Sequence, residues 1–223
     1  MNKGKLIVIE GTEYSGKNTQ TKLLVERLKN CDIKVERDSF PMYDSPTGRI
    51  INTCLLGRDG ESFFKEGMSN IPPKVASLYY AADRLYNIEN INKLLNSGIN
   101  VILDRYVESN MGYQSAKLYN KSDKLEMMSW LEKLEYDLLE LPKPDIVIFL
   151  YMPYQYSLEL RKRDKNCEMI DDEYLKNTES TYALVSERYN YNIIHCVNED
   201  NIRGIKDISD EIYELVKDFL KIS

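Results

Sequence analysis

Nine consecutive residues near the start of the chain have the spacing of a phosphate-binding loop, GxxxxGK: Gly11-Thr12-Glu13-Tyr14-Ser15-Gly16-Lys17-Asn18-Thr19. In this pattern the glycines let the backbone wrap around a phosphate, and backbone amides and a helix N-terminus point to its oxygens. The lysine ammonium pairs with the β- and γ-phosphates. An apolar run, 6–9, precedes the loop and a helical pattern follows it, as the motif requires. We therefore predict that these nine residues bind ATP and that Lys17 is catalytic.

Asn18 departs from the usual loop, in which Ser or Thr follows the lysine and places a hydroxyl on Mg²⁺. An amide oxygen can also bind a hard cation, so Asn18 is predicted to be a metal ligand. A degenerate relative that binds nucleotide but phosphorylates slowly stays open as an alternative. A glycine-rich turn without a ligand is disfavoured by the strand and helix patterns on either side.

A second polar group, Asp104-Arg105-Tyr106, follows the apolar run 101–103. Asp104 can bind Mg²⁺ directly or through water, and Arg105 can hold a phosphate with two parallel hydrogen bonds. Both are predicted to be catalytic, and Asp104 is also a predicted metal ligand. Three such common residues could instead form an ordinary surface ion pair.

Two further elements could form the walls of an acceptor site. Phe40 and Pro41 combine an aromatic ring with a rigid turn, although such a pair is often simple loop packing. Tyr80 and Arg84 are four residues apart and hence on one helix face, where a ring could stack on a base and a guanidinium could bind phosphate. The alternative is a purely structural role, in which the tyrosines of this helix, including Tyr79 and Tyr86, belong to the core.

The elements that must position these residues alternate along the chain. Apolar runs predict strands at 6–9, 33–35, 101–103, 146–150 and 193–197. Helical spacing predicts helices at 19–30, 73–96, 122–139, 157–163, 171–189 and 205–221. This alternation predicts an α/β fold in three layers, with a parallel sheet of about five strands covered by helices on both faces. In such sheets ligands bind beyond the carboxyl ends of the strands, where the motifs above lie.

Composition limits the function classes. The chain has 223 residues, of which 43% are hydrophobic and 30% charged, and neither repeats nor linkers divide it, so one domain over 1–223 is predicted. A net charge of −6 argues against nucleic acid as a partner and favours small molecules. Apolar runs are too short for a signal peptide or a membrane span, so we expect a cytoplasmic protein without a membrane partner.

The only histidine, His195, is assigned no role. Scattered cysteines without CxxC spacing are expected to be reduced: Cys31, Cys54, Cys167 and Cys196.

Taken together, the motifs closely resemble the thymidylate kinase family, and the resemblance spans nearly the whole chain. The family has a P-loop, a Phe-Pro element, an aromatic-and-arginine helix, an Asp-Arg-Tyr element, a Pro-Lys-Pro-Asp strand entry and a lid with arginines. The elements after the loop are found here as Phe40-Pro41, 80–84, Asp104-Arg105-Tyr106, Leu141-Pro142-Lys143-Pro144-Asp145 and Arg161-Lys162-Arg163. The resemblance implies a P-loop kinase fold, ATP and thymidine monophosphate (dTMP) as substrates, Mg²⁺, a short lid at about 161–172 and a homodimer.

The resemblance also implies roles for individual residues. Glu13 would contact the sugar and phosphate region of the acceptor, Tyr80 would stack on thymine, and Arg84 would bind the base or the monophosphate. Phe40, Pro41 and Arg105 complete the implied acceptor site together with three residues that line the base and sugar pocket, Ser109, Tyr113 and Gln114. Arg161 and Arg163 would be catalytic lid arginines that close over the transferring phosphate.

The chain departs from the family in two places. Met42 and Tyr43 follow the Phe-Pro pair where members commonly carry an arginine for the acceptor phosphate, and Arg49 is the first candidate to replace it. Tyr14 stands where some family members carry a catalytic arginine in the loop. In this respect the chain resembles the members whose catalytic arginines come from the lid. Adenine contacts are expected near 198–203 from position alone.

The missing arginine leaves two alternatives within the same fold: a kinase of another nucleotide or deoxynucleotide, and a deoxynucleoside kinase. A nucleotide-switched binding module is the alternative from a different class. It is disfavoured because a switch needs no second small-molecule pocket.

Overall fold

The computed structural model describes residues 3–58, 60, 62–163 and 171–222. Its centre is a five-stranded parallel sheet with the spatial order β2-β3-β1-β4-β5. The strands are β1 (Leu6–Gly11), β2 (Val35–Ser39), β3 (Asn100–Asp104), β4 (Ile146–Tyr151) and β5 (Asn192–His195). An antiparallel hairpin follows, formed by β6 (Val197–Asn198) and β7 (Asn201–Ile202).

Helices connect and cover the strands. They are α1 (Lys17–Asn30), α2 (Pro46–Ile50), α3 (Pro73–Asn96), α4 (Val107–Ser115), α5 (Lys121–Glu132), α6 (Tyr154–Arg163), α7 (Asp172–Tyr189) and α8 (Ile205–Leu220). Helix α2 continues into a π-helical turn, Ile51–Leu55, and α5 into another, Lys133–Leu138. A 3₁₀ turn, Met68–Asn70, precedes α3. None of the helices in the described ranges has the length and apolar character needed to span a bilayer.

The two faces of the sheet carry two hydrophobic clusters, and β1 contributes alternate residues to each. Leu6 and Val8 pack with residues of α3, α4 and α5, whereas Ile7 and Ile9 pack with residues of α1 and α8. All four side chains are almost completely buried, and each such burial contributes about 1.5–3 kcal/mol. The apolar run of β1 is therefore what a central strand covered by helices on both faces requires.

Helices α4 and α7 pack unusually closely at Gly112. A Cβ added at this position would lie 2.3 Å from the ring of Tyr182. The Tyr182 ring is also fully buried and stacks on Phe149 of β4 at 4.9 Å between centroids. Only glycine therefore fits at residue 112 without moving one helix away from the other.

The predicted α/β fold with a five-stranded parallel sheet is confirmed, and α3 has the predicted bounds. The strand predicted at 33–35 is wrong in position because β2 is an edge strand with a polar, half-exposed sequence rather than an apolar run. The strand predicted at 193–197 ends at His195, where the chain turns into the hairpin. The helix predicted at 122–139 is α-helical only to Glu132, and α2 and α4 were not predicted.

Candidate functional site

The phosphate-binding loop lies between β1 and α1, at the carboxyl edge of the sheet. Gly16 has a φ of 81°, a left-handed conformation that favours glycine. At Gly11 a Cβ would come within 2.6 Å of the Leu150 carbonyl oxygen, so the loop approaches β4 too closely for a side chain. Thr12 fixes the loop further, because its Oγ1 donates to the Met152 carbonyl at 2.8 Å. The residue types of the loop are thus explained by its backbone path.

The Lys17 ammonium lies inside this loop. Its Nζ donates to the carbonyl oxygens of Gly11 at 3.0 Å and Thr12 at 2.8 Å. Burial lowers the pKa of Lys17 and the charge of Arg105 lowers it further, whereas the carboxylate of Glu13 raises it, with a net pKa of about 8. The ammonium is therefore protonated at neutral pH, but its proton is lost at a much lower pH than that of an exposed lysine.

Glu13 connects the loop to the Asp-Arg-Tyr element. Its Oε1 accepts hydrogen bonds from Arg105 Nη2 at 3.3 Å and from the Tyr113 hydroxyl. The Arg105 guanidinium also lies 5.1 Å from the centre of the Tyr113 ring. Burial raises the pKa of Glu13, but the charges of Arg105 and Lys17 and these hydrogen bonds more than offset it and bring the pKa to about 2. An ionised carboxylate therefore holds Arg105 beside Lys17.

The two predicted metal ligands, Asn18 and Asp104, lie close together on α1 and at the end of β3. One nitrogen, Arg37 Nη2, donates to Asn18 Oδ1 at 2.7 Å and to Asp104 Oδ2 at 3.3 Å. Amide and carboxylate oxygens are hard donors that suit Mg²⁺. No cluster of three or more His, Cys, Asp or Glu side chains suited to a metal occurs among the described residues, and a metal role for Asn18 and Asp104 stays a prediction.

A cavity of about 620 Å³ opens beside the loop. All nine residues predicted to bind the acceptor line it: Glu13, Phe40, Pro41, Tyr80, Arg84, Arg105, Ser109, Tyr113 and Gln114. The cavity also has lining residues that the sequence did not indicate, among them Tyr43, Arg58, Asp83, Asn110, Asp171 and Tyr174. Its volume suits a ligand of nucleotide size. Because Glu13 is a residue of the loop and also lines the cavity together with its partner Arg105, the cavity and the loop form one continuous site.

Arg84 is mostly engaged inside the protein. Its side chain is 2% exposed, and its Nε and Nη2 donate to the Glu135 carboxylate at 2.5 and 2.7 Å. Its Nη1 donates to the Tyr106 carbonyl at 3.2 Å. Loss of one partner from such a buried pair typically costs about 3–5 kcal/mol, so the pair is a firm tie between α3 and the turn after α5. A contact between Arg84 and an acceptor stays a prediction.

Ser109 also has an internal partner, the fully buried carboxylate of Glu10. Glu10 Oε1 accepts from the Ser109 hydroxyl at 2.5 Å and from the Tyr106 amide at 3.2 Å, and Oε2 accepts from the Tyr182 hydroxyl at 3.1 Å. Glu10 thereby joins β1 to α4 and α7. Sequence reasoning missed this residue, although a carboxylate at the end of an otherwise apolar strand, directly before the loop, is the signal that could have found it.

Asp83 is a second residue that the sequence did not indicate. Its carboxylate is almost fully buried and accepts hydrogen bonds from the Met42 amide at 2.9 Å, the Ser45 hydroxyl at 3.0 Å and the Thr47 hydroxyl at 2.8 Å. These contacts hold the turn after Phe40-Pro41 against α3. The Phe40–Pro41 peptide that leads into this turn is cis. Asp83 therefore positions one wall of the cavity.

The predicted lid region is only partly described. Arg161 and Arg163 lie in the last turn of α6, and neither lines the cavity. Arg161 Nη1 lies 3.1 Å from Asp172 Oδ1 at the start of α7. Residues 164–170 of the predicted lid, with Cys167, lie outside the described residues.

The segment 198–203, where adenine contacts were expected, forms the exposed hairpin β6–β7 and the residues after it. Arg203 Nη1 donates to the His195 carbonyl at 2.7 Å and pairs with Glu211. Nothing in these contacts tests a role in adenine binding, so that role stays a prediction.

Comparisons with known proteins find a matching family model and chains of similar sequence and fold. The family model described as thymidylate kinase matches residues 9–212, which include every residue that lines the cavity. A thymidylate kinase of Plasmodium falciparum is 33% identical over 224 residues, covering 99% of this chain and 91% of the relative. A thymidylate kinase of Schizosaccharomyces pombe is 28% identical, covering 96% and 92%. In fold, the chain is similar to a solved thymidylate kinase from Candida albicans, with a TM-score of 0.73, 22% identity, and coverage of 97% and 92%.

The pKa of Lys17 predicts how nucleotide binding depends on pH. As pH rises through about 8, the free protein loses the ammonium charge, so ATP affinity is expected to decline. Calorimetry across this range should give a constant Kd below the pKa and a rise of up to about tenfold per pH unit above it, until the higher pKa of the complex is reached. Because folding lowers the pKa of Lys17, the protonated side chain destabilises the folded state at low pH, and this destabilisation is relieved as pH rises above about 8. Titration of Lys17 therefore does not unfold the protein in this range, and weaker ATP binding there would report the lost charge.

Glu13→Gln provides the matched control for that experiment. It removes a carboxylate that raises the pKa of Lys17, so the decline should begin at lower pH than in the parent protein. A profile that stays flat in both proteins would contradict the assignment of the titrating group.

Proposed function

This chain belongs to the thymidylate kinase family, and we propose that it transfers the terminal phosphate of ATP to dTMP in the presence of Mg²⁺. One observation carries the proposal: nine residues expected to hold an acceptor surround a single cavity, and one of them, Glu13, belongs to the phosphate-binding loop and is paired with another, Arg105. A donor in the loop and an acceptor in the cavity would therefore meet beside Arg105.

Positioning and charge neutralisation account for most of the rate of phosphoryl transfer, because the protein has little covalent chemistry to perform. Lys17 would pair with the β- and γ-phosphates of ATP from inside the loop. Arg105, held by Glu13 and by the Tyr113 ring, would pair with the phosphate of the acceptor. The acceptor oxygen and the transferred phosphate would then be held in line.

Asn18 and Asp104 would hold Mg²⁺ together with phosphate oxygens of the donor. When bound, the metal supplies positive charge that neutralises the phosphates as the transferred group leaves. The contribution of the protein is the pair of hard oxygen donors at one edge of the sheet.

Gln114 and Tyr80 support a pyrimidine base in the cavity. Gln114 is 3% exposed, and its Oε1 is buried without a hydrogen-bond partner among the described residues. A carbonyl oxygen left in this way accepts a hydrogen bond from a ligand donor, such as the N3–H of thymine. Cytosine has an acceptor at the same ring position, so this oxygen favours thymine over cytosine. Tyr80 would supply the stacking ring.

A coupled assay of ADP formation tests the proposed reaction. With Mg²⁺ and ATP, turnover is expected to be fastest with dTMP, slow with cytidine monophosphate, and near zero with thymidine or without acceptor. Gln114→Leu is expected to raise the KM for dTMP about tenfold through loss of one hydrogen bond to a buried group. Gln155→Leu, on the exposed surface of α6, is the matched control and should leave the KM unchanged.

Each competing function has its own signature in the same assay. Preference for thymidine would indicate a deoxynucleoside kinase, and preference for another monophosphate a different nucleotide kinase. ATP hydrolysis that no acceptor accelerates would indicate a nucleotide-switched module. ATP binding without turnover would indicate a degenerate relative.

We further propose that an arginine of the lid, within about 161–172, stabilises the transferring phosphate. Arg161 is held near the start of α7 by Asp172, whereas Arg163 is exposed. Alanine substitution of at least one of the two is expected to lower kcat by about 10³-fold, because an arginine delivered to the transition state is worth that much. ATP binding measured by calorimetry should persist in both variants. Unchanged kcat in both would refute the role of the lid arginines.

A homodimer through α3 is also proposed. An exposed apolar stripe runs along this helix and includes Val75, Leu78, Leu85 and Tyr86, which are 39–59% exposed. The spacing places them on one face of the helix, and contiguous exposed apolar surface of this kind marks an interface.

Sedimentation velocity tests the dimer. The parent protein should sediment as about twice the 26.1 kDa chain, and Leu78→Asp should shift it to the monomer because a charge in an apolar interface is unfavourable. Ile205→Asp, at an isoleucine that is 60% exposed at the start of α8, on the opposite face of the sheet from α3, should leave the dimer intact. A parent protein that sediments as a monomer at micromolar concentration would exclude the interface.

The remaining expectations follow from this function. We propose that residues 1–223 form one kinase domain, that its partners are ATP and dTMP rather than nucleic acid or membranes, and that it acts in the cytoplasm, where ATP serves as the phosphate donor.

A further inference from the structure

Arg37 reaches the phosphate-binding region from the edge of the sheet. In the register of β2 and β3, Arg37 pairs with Ile102, and Ser39 pairs with Asp104. Arg37 is thus two residues before the end of its strand, and its long side chain extends forward to the level of Asp104. There, Nη2 donates to Asn18 Oδ1 at 2.7 Å and to Asp104 Oδ2 at 3.3 Å.

These two oxygens are the donors that the proposed function assigns to the metal of the donor nucleotide. A guanidinium nitrogen lies within hydrogen-bond distance of both. Magnesium takes its oxygen ligands at about 2.1 Å, and two cations that share the same ligands repel each other over a few ångströms. A metal ion and the Arg37 guanidinium therefore cannot both occupy the space between these oxygens.

The type of residue at position 18 is part of this arrangement. The amide oxygen of asparagine stands one bond further from the backbone than the hydroxyl of serine or threonine, the residues usual at this position. The longer side chain brings an acceptor to Arg37. A serine hydroxyl is a shorter group, available to a metal but less able to reach the guanidinium.

Only some of the hydrogen-bond donors of the Arg37 side chain have an acceptor. It is 24% exposed, and its Nε is buried without a hydrogen-bond partner in the described part of the chain. A buried donor without an acceptor is unfavourable. A competing cation can therefore displace the Arg37 side chain from this position.

We propose that the Arg37 guanidinium is a built-in competitor of the divalent metal for Asn18 and Asp104, which makes the protein demand a higher metal concentration than its oxygen donors alone would require. The inference rests on the proposed function only in that the metal arrives with an adenine nucleotide. Arg37 then acts as a positioning residue that sets metal affinity, and the metal and the guanidinium are alternative occupants of one place.

Binding of Mn²⁺ to the complex of the full chain with ADP tests the proposal without any turnover. Electron paramagnetic resonance reports free Mn²⁺, and calorimetry with ADP and a chelator gives the metal-free nucleotide affinity for correction. Arg37→Met keeps the length of the side chain but removes its charge, and it is expected to lower the Kd for Mn²⁺ by about fivefold or more. Arg37→Lys keeps the charge and should change the Kd less than about twofold.

Two further variants make the result specific. Arg27→Met removes a partly exposed arginine of α1 that pairs with Asp210 of α8, and it should leave Mn²⁺ binding unchanged. Asn18→Ser withdraws the acceptor from Arg37 and supplies a hydroxyl ligand, so it should also tighten Mn²⁺ binding. If Arg37→Met fails to fold, as judged by circular dichroism, Asn18→Ser and Arg37→Lys still decide the question.

Equal or weaker Mn²⁺ binding by both Arg37→Met and Asn18→Ser would overturn the proposal and make Arg37 a bystander or a helper of phosphate binding. Tighter binding in Arg27→Met as well would also overturn it, because the effect would then be one of overall charge. Failure of the proposed function would instead appear as absent dTMP phosphorylation with Mn²⁺ binding altered as expected, so the two outcomes are distinguishable.

Discussion

The whole site depends on one buried carboxyl group and on the hydrogen-bond donors that it requires. Glu10 is fully buried at the end of the central strand, and its oxygens accept from Tyr106, Ser109 and Tyr182. A buried carboxyl group is costly unless its oxygens are hydrogen-bonded. These donors come from the segment after β3, from α4 and from α7, so the need to satisfy one carboxylate sets the position of three elements around the loop.

Above this anchor, opposite charges alternate at short range. The Glu13 carboxylate interacts electrostatically with both Lys17 and Arg105, and each opposite charge lowers the free-energy cost of burying its partner. The ionised Glu13 keeps two cations in place that would otherwise repel each other. In the proposed reaction, two anionic substrates would approach one another across a region that is already positive and already ordered, which would reduce the reorganisation needed.

The sequence predicts those elements whose structure is determined by residues close together along the chain. Helix α3 is bounded by Pro72-Pro73 and Ser97-Gly98, which mark its ends, and the residues predicted for the loop and for the acceptor site belong to recognisable motifs. Helix α4 is buried on most sides and therefore lacks the one-sided pattern of a surface helix. Likewise Glu10, Arg37 and Asp83 have roles that arise from contacts between distant segments, which no spacing along the chain reveals.

The edge strand β2 has a consequence beyond the site. The outer edge of a sheet exposes unpaired backbone groups that can pair with another molecule, and charged side chains there discourage such pairing. Glu36, Arg37 and Asp38 give β2 this character. Arg37 combines this edge character with its contacts to Asn18 and Asp104, so an apolar residue at position 37 would both leave the edge less protected and remove those contacts.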